Sequence, residues 1–285
     1  WLLQVPARQS ATGEPLSAPT QLDLHWLREM AFDGRVARFV ERVQARLQDS
    51  VLRCDEMHVT LNRHVDFAAE RPETEGLGVK RVDCRNGVDF VFYKWQEQAL
   101  TAAAEGRAAE FSLQYDTGDF EASGPGTLDF WQEGEQGRVD VAPDAVARAN
   151  QPASADKLPW QYTSVEFTGS LTGNLQQKHG TLRDRVRVLY APVQRVKEVF
   201  LRDQLSQETE SSKGAVYLGC DELQITLHPW ESQPDADYVQ ALAVGKLAPV
   251  ELEGRLFQAN ADTCTYDEST RLFTLRGLGK RMASV

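Results

Sequence analysis

The sequence lacks any concentration of positive charge. Its 31 Lys and Arg residues are outnumbered by 42 Asp and Glu, which gives a formal net charge of −11 at pH 7. Nucleic-acid binders need basic side chains to replace phosphate counterions, and anionic membrane surfaces attract polybasic segments. The composition therefore disfavours both kinds of partner, and the acidic excess is typical of a solvated exterior.

Long hydrophobic runs are also missing. No stretch approaches the roughly 20 apolar residues of a membrane-spanning helix, and no signal peptide is recognisable. The content of 41% hydrophobic and 26% charged residues is that of a soluble globular protein. With 285 residues, the chain is long enough for one large or two ordinary domains. Because it begins with Trp1, we interpret it as a processed chain or an excised piece.

Motifs of the common enzyme classes are absent. The chain contains no GxSxG, no P-loop, no dinucleotide-binding GxGxxG and no HExxH, so we predict no catalytic residues and no cofactor. His58 and His64, with Cys54 nearby, are the best candidate metal ligands. Gln224 and Trp230 stand at the corresponding positions of a second, similar stretch, so we predict no metal site either. An enzyme remains a third hypothesis, which would need a cleft with convergent polar groups.

Cysteine is scarce, and the sequence contains no CxxC pair. The four residues are Cys54, Cys84, Cys220 and Cys264. An even number permits disulfides in an oxidising compartment, with three possible connectivities. The alternative is that each cysteine is a small buried apolar residue.

What the sequence does contain is an internal repetition. CDEMHVTL at 54–61 matches CDELQITL at 220–227 at five of eight positions. Other short pairs occur in the same order: F-x-G at 32–34 and 167–169, L-x-D-x-V at 47–51 and 182–186, E-G-R at 105–107 and 253–255, Y-D at 115–116 and 266–267, and G-x-G at 124–126 and 277–279. This order predicts two copies of one unit. We place the copies at 20–138 and 159–285, with an Ala/Pro-rich linker at 139–158 and residues 1–19 as a linker or the tail of a preceding unit.

Hydrophobic residues alternate with polar ones, which predicts strands rather than helices. The segments 31–47 and 166–182 are interpreted as strands, and the polar sequences at 115–119 and 266–270 as hairpin turns. At each Cys-Asp-Glu the alternation slips by one residue, which predicts a β-bulge where a strand turns a corner. The Asp and Glu are then expected to point outward or to cap the bulge. A catalytic carboxylate pair is the alternative interpretation.

Together these landmarks resemble the OstA-like or LptA-like family, whose members build the periplasmic lipopolysaccharide-transport bridge of Gram-negative bacteria. The Cys54–Leu61 and Cys220–Leu227 strands resemble the family's aD-L-v-y strand. The segments 106–116 and 254–267 resemble its G-x-A-x-Y-d strand. The family's Phe-x-Gly is usually followed by Asn-Val, which is replaced here by Arg35-Val36 and Ser170-Leu171. The tandem form is similar to multi-copy envelope proteins of planctomycete-type bacteria.

The resemblance implies an all-β fold of two tandem twisted antiparallel units, each a folded-over β-taco or β-jellyroll, stacked as a short solenoid. It implies a location in the periplasm or cell envelope, an apolar groove for lipid or lipopolysaccharide acyl chains, and edge-strand pairing with neighbouring OstA-like units. No nucleic-acid partner is expected. The groove candidates are Phe32, Val36, Met57, Val59, Leu61, Phe90, Phe92, Phe111, Leu113, Tyr115, Phe167, Leu171, Val186, Val188, Tyr190, Leu223, Ile225 and Leu227.

Two interpretations of these candidates stay open. They line a groove that takes up lipid, or they form a closed, dry core. In the second case, the protein is a structural or interaction module of the cell envelope without a lipid ligand.

Overall fold

The computed structural model is all-β, as the alternation predicts. It describes residues 2–9, 15–65, 77–96, 98–133, 160–230, 233–270 and 272–277. The strands are β1 (Leu2–Gln9), β2 (Pro15–His25), β3 (Glu29–Phe32), β4 (Val36–Leu47), β5 (Ser50–Leu61), β6 (Val79–Arg85), β7 (Val88–Gln96), β8 (Ala99–Ala108), β9 (Glu110–Gln114), β10 (Asp119–Ser123), β11 (Gly126–Glu133), β12 (Trp160–Phe167), β13 (Ser170–Asn174), β14 (His179–Val193), β15 (Val216–Trp230), β16 (Gln233–Val244), β17 (Val250–Gly254), β18 (Phe257–Ala261), β19 (Thr263–Asp267) and β20 (Leu272–Arg276).

The chain divides into two compact units that are assembled from discontinuous segments. The first unit comprises Trp1–Tyr93, Glu105–Gly126 and Ser170–Gln177, and the second comprises Lys94–Ala104, Thr127–Gly169 and Lys178–Val285. The sequence had predicted contiguous units instead. The predicted linker at 139–158 lies outside the described residues.

In the first unit, the long hairpin of β4 and β5 belongs to two sheet segments, here called arms. In one arm, Val36–Val40 pairs with Glu56–Thr60, and the ladder continues through β6, β9, β10 and β13. In the other arm, Val43–Leu47 pairs with Ser50–Cys54, with β2 on one side and β7 on the other. The two arms therefore share β4 and β5 and separate at the middle of that hairpin.

A bulge marks the point where the arms separate. On β5, the buried Cys54 and Met57 are three residues apart, whereas the buried Phe39 and Val43 on β4 are four apart. The register accordingly shifts between Val40 and Val43. Two residues of β4, Glu41 and Arg42, face the single residue Asp55 of β5, and they have positive φ angles of 72° and 48°. The predicted bulge at Cys-Asp-Glu is confirmed, but the extra residue lies on the partner strand rather than on the Cys-Asp-Glu strand itself.

The second unit contains the same arrangement. Leu182 on β14 pairs with Leu223 on β15, Val186 pairs with Cys220, and the register shifts between Arg183 and Val186. Asp184 and Arg185 have φ angles of 67° and 51°. Beyond the bulge, one arm continues through β16, β19 and β20, and the other contains β12, β17 and β18.

Geometry corrects several of the other predicted correspondences. The Phe32–Gly34 stretch lies in the turn between β3 and β4, with Gly34 at φ 93°. Phe167–Gly169 lies instead beside the bulge of β14, where Thr168 and Gly169 donate to the carbonyls of Asp184 and Arg183. Leu27 and Arg28 make the equivalent bonds to Glu41 and Val40. Trp26 rather than Phe32 is therefore the positional counterpart of Phe167.

Two further pairs also occupy different positions. Leu47–Val51 forms the turn between β4 and β5, whereas Leu182–Val186 contains a bulge. The Glu-Gly-Arg at 105–107 is inside β8, whereas that at 253–255 crosses the end of β17. The two Tyr-Asp sequences do agree, because each leads into a hairpin turn, from β9 to β10 and from β19 to β20.

The segment that joins β14 to β15 is ordered and packs against the outer face of the second unit. It contains a 3₁₀ turn (Arg202–Gln204) and the short helix α1 (Glu210–Lys213), which Thr209 caps. Phe200 and Leu205 are buried, with 4% and 2% of their surfaces exposed. The Trp131 indole donates to the Glu198 carbonyl at 2.8 Å, and the Arg202 guanidinium lies 3.6 Å from the centre of the Tyr217 ring. Hydrophobic contacts and cation–π attraction thus hold this insertion in place.

Candidate functional site: the apolar interior of each unit

Apolar residues form continuous rows across neighbouring strands of the first unit. One row runs through directly paired positions on β5, β6, β9, β10 and β13: Met57, Cys84, Phe111, Ala122 and Leu171. The next row runs through Val59, Val82, Leu113 and Phe120. Since side chains at paired positions share one face of the sheet, each row is a strip of apolar surface perpendicular to the strands.

The other arm of the first unit presents a similar row. Leu24, Ala45, Leu52 and Phe90 lie at paired positions on β2, β4, β5 and β7. Residues of both arms pack into one cluster around the bulge, with Phe39, Val43, Met57 and Cys84 almost completely buried. The inner faces of the two arms therefore meet at the bulge.

The second unit repeats this pattern with smaller side chains. One row contains Leu182, Leu223, Ala243, Cys264 and Leu275, and the next contains Gly180, Ile225, Ala241, Tyr266 and Phe273. The Tyr266 and Phe273 rings stack with their centres 4.6 Å apart. A third row, in the other arm, contains Val165, Val188, Leu218, Leu252 and Ala259.

On β5, β7 and β15, the exposure of inward residues increases with distance from the bulge, whereas Val250 and Leu252 on β17 and Ala259 and Ala261 on β18 stay buried along the strand. On β15, three inward residues become progressively more exposed. Leu223 has 2% of its surface exposed, Ile225 is half-buried, and Leu227 has 38% exposed. On β5, Met57 is buried while Val59 and Leu61 are half-buried, and on β7 the buried Val88 is followed by the half-buried Phe90 and Phe92. The apolar faces of β5, β7 and β15 are thus closed at the bulge and become accessible toward one end of each strand.

The predicted groove residues divide into three groups by burial. Met57, Leu113, Phe167, Val186 and Leu223 are fully buried, and Leu227 is exposed. The remaining members are half-buried: Phe32, Val36, Val59, Leu61, Phe90, Phe92, Phe111, Tyr115, Leu171, Val188, Tyr190 and Ile225. The first group forms packed core, and the half-buried residues offer most of the surface that a ligand could reach.

Two of these predictions need correction. Val36 pairs with Thr60, while its neighbour Ala37 pairs with Val59 on the inner face, so alternation turns Val36 outward. Leu171 belongs to the first unit, because β13 pairs with β10 and extends the row that starts at Met57. Register across strands decides both cases, and local alternation does not reveal it.

In the second unit, the acidic residues of the Cys-Asp-Glu motif bind the loop between β16 and β17. The Asp221 carboxylate accepts hydrogen bonds from the backbone N–H groups of Lys246, Leu247 and Ala248 at 2.6, 2.5 and 3.2 Å. These bonds, that of Leu247 above all, lower the pKa of Asp221. Glu222 accepts from Lys246 Nζ at 2.6 Å, which lowers its pKa as well. The motif thus fixes the loop between β16 and β17 against the bulge.

In the first unit, Glu56 has different partners. Its Oε1 accepts from Arg38 Nε at 2.7 Å and lies 2.6 Å from His58 Nε2. The Arg38 hydrogen bond is the largest cause that lowers the pKa of Glu56 to about 2, and the His58 contact adds to it. The carboxylate side chain is only 18% exposed, so this contact is partly shielded from water.

Acid is expected to weaken the first unit through Glu56. Its folded-state pKa lies below its ordinary value of 4.5, so its contribution to stability is complete above pH 4.5 and is lost as pH falls toward 2. Glu56→Gln should remove about 1–2 kcal/mol at pH 7 and flatten the acid limb of a plot of urea-unfolding free energy against pH. Exposed Glu133→Gln is the control. An unchanged acid limb in Glu56→Gln would contradict the assignment.

Sequence reasoning missed the small members of the apolar rows. Four alanines occupy inward positions of β16 and β18: Ala241, Ala243, Ala259 and Ala261. The last three have at most 4% of their surfaces exposed. The prediction counted only large apolar side chains. The signal that could have identified these residues is the alternation of alanine with larger residues in QALAV at 240–244 and FQANA at 257–261.

Over the described residues, no three His, Cys, Asp or Glu side chains gather as a metal site would require. Within the same parts of the chain, none of the helical segments has the length and apolarity needed to cross a bilayer. Comparison with known proteins finds no family model and no curated protein that matches the chain.

Proposed function

We propose that the chain is a lipid-binding module of the cell envelope, and that acyl chains enter the apolar interior between the two arms of a unit. The observation that carries this proposal is the exposure gradient along β5, β7 and β15, from the bulge toward one end of each strand. A dry core would bury its inward residues along the whole strand, whereas Ile225 and Leu227 become progressively accessible. Each methylene transferred from water to such a surface gains about 0.8 kcal/mol, and this gain is non-directional, so it does not fix the acyl chain in one place.

The proposed fold in finer terms is a tandem pair of folded-over OstA-like units. The two arms that share a bulged hairpin, present in both units, support this interpretation. Under it, the protein belongs in the periplasm of a Gram-negative-type bacterium, binds lipid or lipopolysaccharide, and pairs with neighbouring units through edge strands.

A structural scaffold without a lipid ligand is the second candidate. The packed cluster around Phe39, Val43 and Met57 favours the scaffold. At most 2% of the surface of each of these residues is exposed, so they form a core rather than a binding surface. The two candidates differ in what the half-buried residues do, so a test must alter those residues and leave the cluster intact.

The test compares two adjacent residues of one strand. Ile225 faces the apolar row and Thr226 faces outward. Ile225→Asp should weaken binding of the fluorescent fatty acid cis-parinaric acid by roughly tenfold or more, because a carboxylate would have to lose water beside the acyl chain. Thr226→Asp should leave binding unchanged. Circular dichroism of both variants checks that the sheet persists.

Native mass spectrometry with lipopolysaccharide then distinguishes a general acyl-chain binder from one that takes the whole glycolipid. Absence of saturable probe binding to the unaltered chain would contradict the lipid proposal and favour the scaffold. Equal binding by Ile225→Asp and Thr226→Asp would show that the inner face of the second unit is not where the probe sits.

A further inference from the structure

Small side chains line the inner face of β16 in the second unit. Ala241 lies directly between Ile225 of β15 and Tyr266 of β19, and all three are half-buried. The Tyr266 ring stacks on Phe273 of β20, with the ring centres 4.6 Å apart, which fixes its position. Two strand spacings amount to roughly 9–10 Å, so the alanine leaves between its larger neighbours a gap the width of one acyl chain. This strip along β16, from Val239 to Ala241, is here called the β16 channel.

The β16 channel is closed toward the bulge. The next row in that direction consists of Leu223, Ala243 and Cys264 at directly paired positions, and each has 2% of its surface exposed. In the opposite direction, Val239 is half-buried and its partner Leu227 is 38% exposed. An acyl chain that enters from the accessible end can therefore advance as far as the half-buried row and no further.

An ion pair marks the open end of the channel. Asp237 is the next inward residue of β16 beyond Val239 and lies opposite Pro229. Its Oδ2 accepts from Lys178 Nζ at 2.6 Å, and the Lys178 side chain is 50% exposed. Because charged groups are costly to bury against an acyl chain, the apolar path ends at this pair and the headgroup of a ligand stays in water.

The first unit fills the equivalent position. Val82 of β6 lies directly between Val59 and Leu113, as Ala241 lies between its two neighbours in the second unit. Valine carries two more carbon atoms than alanine, and these occupy part of the space that alanine leaves open. The second unit therefore offers the wider site for an acyl chain.

We propose that the β16 channel is the acyl-chain site of the second unit and that it holds one extended saturated chain of about ten to twelve carbons. From Asp237 to Ala241 the strand advances four residues, roughly 14 Å, and an extended acyl chain advances about 1.3 Å for each methylene. Longer chains bind too, but their additional carbons stay in water beyond the ion pair. This inference rests on the proposed lipid binding and names the chain that the second unit accommodates.

The experiment measures how octanoate, decanoate, dodecanoate, tetradecanoate and octadecanoate displace cis-parinaric acid from the full chain. Each step from octanoate to dodecanoate should tighten binding roughly tenfold, because every buried methylene adds a similar free energy. Beyond dodecanoate, each step should change the affinity less than about twofold. A steady gain through octadecanoate, or an affinity that does not depend on length, would overturn this inference alone. Failure of cis-parinaric acid to bind saturably would instead contradict the proposed lipid binding itself.

Variants of β16 and β19 locate the site. Ala241→Leu fills the channel, so it should weaken dodecanoate binding by roughly tenfold or more and shift the plateau to shorter chains. Thr265→Leu is the control, because Thr265 is exposed and pairs with the outward Leu242. It adds a leucine to the other face of the same sheet and should leave the affinity and the plateau unchanged.

Circular dichroism checks that both variants fold. If Ala241→Leu does not fold, Ala241→Val takes its place, since it copies the residue that the first unit carries at the equivalent position. A plateau at the same length in a folded Ala241 variant would overturn the inference, as would an equal loss of dodecanoate binding in Thr265→Leu.

Discussion

Phe39→Ala should destabilise the first unit by about 3–5 kcal/mol, the range found when a buried aromatic residue is truncated and a cavity remains. Phe39 is 1% exposed and lies at the bulge where the two arms meet. Its ring also contacts Trp26 edge to face, with the ring centres 5.0 Å apart. The bulge holds the surrounding strands at fixed positions, so we expect little collapse into the space left by the ring.

Urea unfolding measures the loss, and hydrogen exchange detected by mass spectrometry shows where it occurs. Faster exchange should appear in β4 and β5 while β14 and β15 keep their protection. Phe130→Ala is the matched control, because Phe130 is 40% exposed and should cost well below 1 kcal/mol. A loss of similar size in both variants would mean that the cluster at the bulge is not the centre of stability of the first unit.

Asp221→Ala should destabilise the second unit by about 2–4 kcal/mol, because three backbone N–H groups lose their acceptor at once. All three belong to consecutive residues, Lys246 to Ala248, in the loop between β16 and β17. We expect amide exchange to accelerate first in this loop. The effect should diminish in acid, since a protonated Asp221 no longer attracts the three donors as a carboxylate.

The chain offers its own control for this variant. Asp55 occupies the same place in the Cys-Asp-Glu motif of the first unit, but its side chain is exposed, so Asp55→Ala should change stability by less than about 0.5 kcal/mol. Urea unfolding of both variants makes the comparison. Equal losses would show that the motif acts through backbone conformation at the bulge and not through the cap on the loop.

The local alternation of apolar and polar residues was sufficient to predict the strands and the position of the bulge at Cys-Asp-Glu. Alternation of period two is a property of neighbouring residues. The segments 31–47 and 166–182, interpreted as strands because they were aligned as repeats, do consist of strands joined by turns: β3 and β4 in the first, and the end of β12, β13 and the start of β14 in the second. The slip at Cys-Asp-Glu likewise marked the bulge in both units, because a strand that keeps both flanking segments buried must insert or bend there. Both hairpins at Tyr-Asp follow from the same local chemistry.

Pairing between distant segments decided the rest of the candidate site. Val36 and Ala37 are equally apolar in sequence, but only the register with β5 shows which one faces the interior. Leu171 joined the first unit because β13 pairs with β10. The bulge residues Glu41 and Arg42 carry no turn signature, so nothing local assigns the extra residue to β4.

By itself, the sequence determined that this protein is built of strands, that two of its hairpins are bulged at Cys-Asp-Glu, and that apolar residues occupy alternate positions. Only the tertiary structure decided which residues are core and which are accessible, that β16 separates Cys264 from Cys220, and that the segment after β14 packs on an outer face. The physical reason is that side-chain alternation is a local property, whereas burial and contact depend on the register of strands distant in sequence.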